Sequence, residues 1–374
     1  MPTAEELISA ASIRRLGEIL RAVAPQESDW RTVTASSRRL GPLALGERAR
    51  TVAAAILADL PGGYRPLAAV VRSALGEPEL TGWMIWPVTE AVATAATASE
   101  QPADFADGLA LLAALTPRLT GEFALRTFLN ADLGRTLGIV REWTGDPDPA
   151  VRRLATEGTR PKLPWAKQVP GLNREPGRTV PILDLLHKDA DEAVRRSVAN
   201  HLNDLSRLAP ELAVATAERW LKDPDGATRG LVRHAMRTLV KKGDPAALGL
   251  VGFRGERDAL AVTGPEPAAR EITVGDELVF TAAIRNTSAE PVVLAVDYVI
   301  HYQKANGSLA PKVFKLAKRT LAPGESVELV RRHSFRPITT RVYHPGPHAL
   351  ELQVNGHRFG RAGFVLHTTD RAAG

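Results

Sequence analysis

From Thr3 to about Gly252, apolar residues recur every three or four positions. That spacing keeps one face of a helix apolar, so it predicts a long series of amphipathic helices. Ala, Leu, Arg and Glu, all strong helix formers, dominate the same stretch. Helices are expected near 45–59, 64–75, 83–98, 103–116, 122–142, 148–157, 179–187, 191–206, 211–221 and 227–241. Thr3 and Glu6 form the sequence signature of a capping box at the first helix. Pro and Gly punctuate the series, and no long heptad seam supports a coiled coil. Beyond about Thr263 the period falls to two. Leu294, Val296, Tyr298, Ile300 and Tyr302 alternate with Ala295, Asp297, Val299 and His301, and Leu350, Leu352 and Val354 alternate with Glu351 and Gln353. Asn306-Gly307, Asn355-Gly356 and Pro323-Gly324 mark turns between such strands.

The helical part contains an internal repeat. Gly145-Asp-Pro-Asp-Pro-Ala-Val-Arg-Arg, Lys188-Asp-Ala-Asp-Glu-Ala-Val-Arg-Arg and Lys222-Asp-Pro-Asp-Gly-Ala-Thr-Arg share Asp-x-Asp, Ala, a β-branched residue and Arg. The Asp residues suit a tight turn and a helix N-cap, and the following residues open the second helix of a pair. Repeats of this length mean stacked helix pairs of the HEAT or armadillo kind. The wider first spacing implies an insertion from Arg160 to Gly177. The expected fold is therefore multidomain: an all-α HEAT-like-repeat solenoid over 1–262, then an all-β immunoglobulin-like sandwich over 263–374, divided at Gly264-Pro-Glu-Pro.

Composition narrows the function classes. No run approaches the roughly 18 apolar residues of a membrane span. The N-terminal MPTAEELISA lacks a basic stretch followed by an apolar one, so no signal peptide is expected. The chain has no cysteine, which removes disulfide scaffolds, thiolate metal sites and cysteine nucleophiles. Its nine histidines are scattered, and no phosphate-binding loop or nucleophile elbow stands in a suitable setting. No cofactor and no metal are expected. The formal charge of +6 permits an anionic partner, and its distribution says more than its size. From Ala261 onward there are 14 Lys/Arg against 10 Asp/Glu, so most of the excess sits in the sandwich.

Helical-wheel arithmetic locates candidate chemistry in the repeat. In the 191–206 helix, Val194, Val198, Leu202 and Leu205 share a narrow stripe, with Asn200 and Asp204 on one flank. Glu157 holds the register of Asn200 in the preceding unit, so two acids project from equivalent flanks of neighbouring helices. Glu122 opens an earlier helix. On periodicity alone a structural account of each takes precedence. Glu122 favours the positive end of its helix, Glu157 and Asp204 are solvated partners of nearby arginines, and Trp165 is a packed core residue.

The segments Glu157-Gly-Thr-Arg-Pro-Lys-Leu-Pro-Trp165 and Val194-Arg-Arg-Ser-Val-Ala-Asn-His-Leu-Asn-Asp204 closely resemble the AlkC-type DNA alkylation repair proteins, HEAT-like-repeat DNA glycosylases related to the AlkD group. Thr120-Gly-Glu-Phe-Ala-Leu-Arg, His301-Tyr-Gln-Lys-Ala-Asn-Gly and Lys312-Val-Phe-Lys-Leu are similar to further family segments, the last two to the immunoglobulin-like domain of its long form. The resemblance implies hydrolysis of the N-glycosidic bond of cationic alkylated bases, such as 3-methyladenine and 3-methylcytosine, in duplex DNA without base flipping. It assigns the catalytic role to Glu122, Glu157 and Asp204, and contact with the lesion nucleotide to Trp165. A monofunctional enzyme is expected, because no lysine is identifiable as a Schiff-base nucleophile.

Carboxylates repel phosphate, so DNA must be held by cations elsewhere. The candidates are Arg152, Arg153, Arg160, Lys162, Arg195 and Arg196 in the repeats, with Lys304, Asn306, Lys312 and Lys315 in the sandwich. Edge protection of strands explains the sandwich lysines equally well by itself; the resemblance favours DNA contact. The competing function is a non-catalytic helical-repeat scaffold that binds DNA or protein. A monomer in the cytoplasm, associated with the nucleoid, completes the expectation.

Overall fold

The computed structural model describes residues 3–24, 30–253, 257–339 and 341–368. The chain divides into two compact units, Met1–Ala235 and Met236–Gly374.

The first unit is all α-helix. Thr3 and Glu6 form the expected capping box, on a helix of only four residues, Ala4–Leu7. The longer Ala10–Val23 helix follows with its own Ser9–Ser12 cap. Two predicted helices are each split. The 122–142 segment is two helices, Glu122–Ala131 and Leu133–Glu142, because Asp132 leaves helical geometry and caps the second through the Arg135 amide. The 227–241 segment breaks at Met236 into Thr228–Ala235 and Arg237–Lys242.

The repeat is a capping device. Asp148, Asp191 and Asp225 accept hydrogen bonds from the Ala150, Ala193 and Ala227 amides, each two residues ahead. Asp146 and Asp189 do the same for the amides of Asp148 and Asp191. Val194, Val198, Leu202 and Leu205 are fully buried, as their stripe predicts. One helix of each pair packs on its successor. Leu45–Asp59 lies on Ile85–Ala98, which lies on Glu122–Ala131; Pro149–Glu157 lies on Glu192–Leu205, which lies on Thr228–Ala235. The two stacks meet at Gly158, where an added Cβ would stand 2.5 Å from Leu125 Cδ2. A side chain at that position would have to displace Leu125.

The second unit is a two-sheet sandwich. Its strands are β1 Leu260–Pro267, β2 Glu271–Thr273, β3 Glu277–Asn286, β4 Val292–Gln303, β5 Leu309–Leu321, β6 Ser326–Ser334, β7 Gly346–Val354 and β8 His357–His367. They form a three-stranded sheet, β1-β3-β6, and a five-stranded sheet, β2-β8-β7-β4-β5. The Gly264-Pro-Glu-Pro segment is not a linker: it is the bulged part of β1, whose register shifts between Thr263 and Glu266. Asn355-Gly356 forms the expected turn, with positive φ at both residues. At Asn306-Gly307 only the glycine has positive φ, and its amide donates to Lys304 O, so the loop is longer than a two-residue turn.

Strand β4 departs from simple alternation. Ala295, Asp297 and Val299 are buried along with Val296, Tyr298 and Ile300. The strand is central, between β7 and β5. The outer face of its sheet is covered by the 237–253 segment, in which Gly243 lies against Gln353 and Leu248 against Gly356. Periodicity reads one buried face and misses a second.

Candidate active site

Glu122 is the first residue of its helix and accepts a hydrogen bond from Thr120 Oγ1 at 3.0 Å. Glu157 is the last residue of Pro149–Glu157, and Asp204 is next to last in Glu192–Leu205. An acid at a helix C-terminus faces the negative end of the macrodipole, an unfavourable placement by roughly 0.3–1 kcal/mol. Two such acids on neighbouring helices need compensation, and one arginine supplies it. Arg160 donates to Glu157 Oε1 at 2.5 Å and to Asp204 Oδ2 at 2.9 Å. Arg153 stands between the other two, with Nη1 3.6 Å from Glu122 and Nη2 3.8 Å from Glu157. Ser197 donates to Glu157 Oε2 at 2.7 Å. The three acids therefore form one continuous row, linked by shared guanidinium groups.

The row is desolvated. Side-chain exposure is 13% at Glu122, 8% at Glu157 and 6% at Asp204. Burial pushes the carboxyls of Glu122 and Asp204 above their ordinary range, against the opposing pull of Arg153 and Arg160 respectively. Desolvation thus outweighs the compensation that the guanidinium groups give these two acids. His201 lies in the same neighbourhood but is fully buried, and that burial lowers it to about 3. It receives the Thr179 hydroxyl and donates to Thr156 O, so it is a neutral scaffold group.

Trp165 is not a core residue. It is 59% exposed, and its φ of 63° places it in the left-handed region. A non-glycine residue there costs about 1 kcal/mol and needs a surrounding structure that dictates it. Its loop starts directly at Arg160 and runs to Val169, anchored by buried Pro161, Leu163 and Val169. Lys162 and Lys167 are exposed on the same loop. Lys167 Nζ donates to Glu90 Oε2 at 3.1 Å and to Thr127 Oγ1 at 3.2 Å.

The expected DNA-binding arginines separate into three kinds. Arg152 makes four hydrogen bonds, two to the Asp189 carboxylate and two to the carbonyls of Asp146 and Pro147. Arg195 repeats the pattern one unit later on the carbonyls of Asp189 and Ala190. Both clamp repeat turns, and with four of its five N–H donors so engaged Arg152 is corrected from phosphate contact to a turn clamp. Arg160 and Arg153 face carboxylates, and Arg160, only 11% exposed, is bound on both sides by acids; it too is corrected from phosphate contact to a member of the acid row. Arg196 is 69% exposed, paired with Glu192 at 3.2 Å. With Arg195, Ala199, Gly230 and His234 it lines a groove of about 470 Å³. In the sandwich, Lys304 and Asn306 are exposed on the β4–β5 loop, and Lys312 on β5. Lys315 is exposed as well, but its ammonium lies 3.1 Å from the buried Asp297.

Three groups escaped the sequence reading. Arg126, fully buried, donates to the carbonyls of Gly158, Arg160 and Lys167. Its position four residues after Glu122, one helical turn on, was an available signal. Glu90 is buried on the Ile85–Ala98 helix, where Trp86 Nε1 donates to it at 3.3 Å. Nothing in its local sequence, Pro-Val-Thr-Glu-Ala-Val, separates it from a surface acid. Ser197 sits beside Val198 with no feature to mark it. Among the described residues, no group of three His, Asp or Glu is placed to hold a metal ion, and no helix is long and apolar enough to cross a membrane.

Comparison with known proteins places this architecture. Residues 261–368 match the family model described as the C-terminal Ig-like domain of the uncharacterised protein YhaZ. YhaZ of Bacillus subtilis (strain 168) is 32% identical over 315 residues, 84% of this chain and 85% of that protein. The alkylpurine DNA glycosylase AlkC of Pseudomonas fluorescens, in a structure bound to DNA containing an abasic-site analogue, superposes with a TM-score of 0.80 at 31% identity. That match covers 98% of this chain and 99% of the other. With the helical unit and the sandwich both covered by that match, the chain belongs to the AlkC-type family of DNA alkylation repair proteins, in its long form with a C-terminal immunoglobulin-like domain.

Proposed function

We propose that this protein is a DNA glycosylase that releases cationic alkylated bases, such as 3-methyladenine and 3-methylcytosine, from duplex DNA. The observation that carries the reading is the buried row of Glu122, Glu157 and Asp204, bridged by Arg153 and Arg160 at the root of the loop bearing exposed Trp165. The likeness to AlkC, solved with DNA containing an abasic-site analogue, supports the same chemistry.

A base alkylated at N3 already carries positive charge, so it leaves without strong general-acid help. The C1′–N bond breaks with its electron pair going to the base, and the sugar becomes oxocarbenium-like. Desolvated carboxylates gain more from that developing charge than from the neutral sugar, which is differential stabilisation of the transition state. Asp204 and Glu157 take this role and hold the attacking water; water oxygen bonds C1′ and its proton passes to a carboxylate. Glu122 supports the row. The indole of Trp165 meets the lesion nucleotide, where its face attracts a cation. The lesion is approached from the sugar rather than drawn into a pocket. Lys167 is committed to Glu90 and Thr127 and Lys162 is given to phosphate, so no lysine acts as a Schiff-base nucleophile and the product is an abasic site. Phosphate is held by exposed Lys162 and Arg196 and by the sandwich residues Lys304, Asn306, Lys312 and Lys315. The enzyme acts as a monomer on cytoplasmic, nucleoid DNA.

The test is base release from methylated duplex DNA, with the wild type compared with Asp204→Asn. Release of methylated bases by the wild type and its collapse in the variant, with DNA affinity retained, is the expected result. No release by the wild type overturns the proposal and leaves a binding scaffold.

A further inference from the structure

The acid row has a fourth member that the chemistry above does not use. Glu90 and Glu122 lie on one stacked pair of helices and Glu157 and Asp204 on another, and each acid carries a basic partner from the 153–167 segment. Glu90 differs from the rest in its partner. Lys167 belongs to the loop that bears Trp165, two residues from it. Arg126 holds the same loop from beneath: one guanidinium takes the Gly158 and Arg160 carbonyls at its start and the Lys167 carbonyl at its end. Asn130 adds a bond to Gln168 O at 3.0 Å. Between these fixed ends, Trp165 stands exposed in a left-handed backbone that no local preference would sustain.

Both holding groups are costly. Burying a guanidinium against neutral carbonyls, with Arg160 nearby, pushes Arg126 down to about 10. Glu90 is 5% exposed at its side chain, with Trp86 Nε1 and Lys167 as its polar contacts. A buried ion pair or guanidinium is weak evidence of stability in itself. Expensive polar groups aimed at one loop point to a loop whose position matters.

We propose that Glu90 and Arg126 are positioning residues that staple the 158–169 loop at both ends, fixing Trp165 and the backbone of Arg160 for the glycosylase reaction. The inference rests on the function proposed above. Arg160 is the shared element: its carbonyl is held by Arg126 and its guanidinium by Glu157 and Asp204, so loosening the loop also loosens the acid row. Preorganised geometry of this kind is worth one to two orders of magnitude in rate when misplaced by about 1 Å.

The experiment is a double-mutant cycle with Glu90→Gln and Lys167→Met, read by single-turnover base release, DNA affinity and hydrogen exchange of the 160–169 amides. Each single variant should lower the excision rate on the order of tenfold while binding undamaged DNA as the wild type does. Each should speed exchange in the loop alone. The double variant should be no worse than Lys167→Met alone, which already removes the Glu90 contact together with the Thr127 bond. Lys167→Arg keeps the ion pair and should restore both rate and protection. Arg126→Lys, whose shorter unforked head reaches only one end of the loop, should show the same pattern more strongly; if it unfolds, the cycle still decides. Unchanged exchange and unchanged rate in Glu90→Gln overturn the staple, as do additive losses in the cycle. If the wild type releases no base, the glycosylase reading fails by itself, and loop exchange in the same variants still tests the staple.

Discussion

The two units handle charge in opposite ways. In the helical unit, Glu90, Glu157 and Asp204 are buried, and Lys167 and Arg160 of one loop pair with them. In the sandwich, Lys304, Lys312, Lys318, Arg319, Arg331 and Arg332 are exposed, several of them along β5 and β6, the open edges of the two sheets. Charge removed from water carries a large local cost, moves carboxyl pKa values and responds strongly to one approaching cation. Charge left in water contributes little to folding, is screened by salt and acts through its summed field. The first arrangement suits chemistry at one atom, the second a polyanion of any sequence. Asp297 is the exception in the sandwich. Burial raises its carboxyl, and it leans on Lys315, whose ammonium belongs in part to structure.

The largest effect that can break this contrast lies in the acid row. Glu157→Gln and Asp204→Asn should each reduce base release by about 10²–10³-fold, the usual loss for a preorganised charge-stabilising group, with DNA affinity nearly unchanged. Wild-type rates in both would show that the buried acids are structural. Next comes pH. Burial raises the carboxyls of Glu122 and Asp204, so both protonate at higher pH than ordinary side chains. Activity should therefore fall on an acid limb that begins above the usual carboxylate range, measured as kcat/KM against pH. A limb at ordinary carboxylate values would place the working acids in water.

Stability sharpens the same point with a smaller effect. A carboxyl raised in the folded state favours the protonated form, so its contribution is present at low pH and lost as pH rises through the folded value. At neutral pH ionised Glu122 thus opposes folding, and Glu122→Gln should melt at or above the wild-type temperature, by about 2 °C, while excision drops. The smallest effect belongs to the sandwich. Replacing Lys304 or Lys312 with Ala should leave single-turnover excision at saturating DNA intact. Each phosphate contact removed should reduce the salt dependence of DNA affinity by about 0.9 in the log–log slope. A changed excision rate with an unchanged slope would move these residues from DNA holding to structure.

Much of the chemistry was half-visible in the chain. Register arithmetic brought Glu157 and Asp204 to matching flanks of neighbouring helices, which is where they are found. It was silent on burial, because both acids lie in the last turn of their helices and are covered by Arg160 arriving from outside them. The same silence misassigned Arg160 and Arg152. A helical wheel shows that an arginine lies off the apolar stripe, not whether its guanidinium meets solvent, a carbonyl or a carboxylate. Glu90 stayed hidden because its partner is 77 residues away in sequence.

Local rules sufficed for helix and strand content, the Asp-capped repeat turns, the Asn355-Gly356 hairpin and the buried stripe of Glu192–Leu205. Each depends on dihedral preference or on periodicity within about ten residues, and both are written in adjacent side chains. Assembly of the row from four helices, the choice of arginines that neutralise it, the outward, left-handed Trp165 and the second buried face of β4 came from folding alone. Those features are electrostatic and packing contacts between distant segments. Their energies depend on which groups lose water together, and the linear order of residues does not record that.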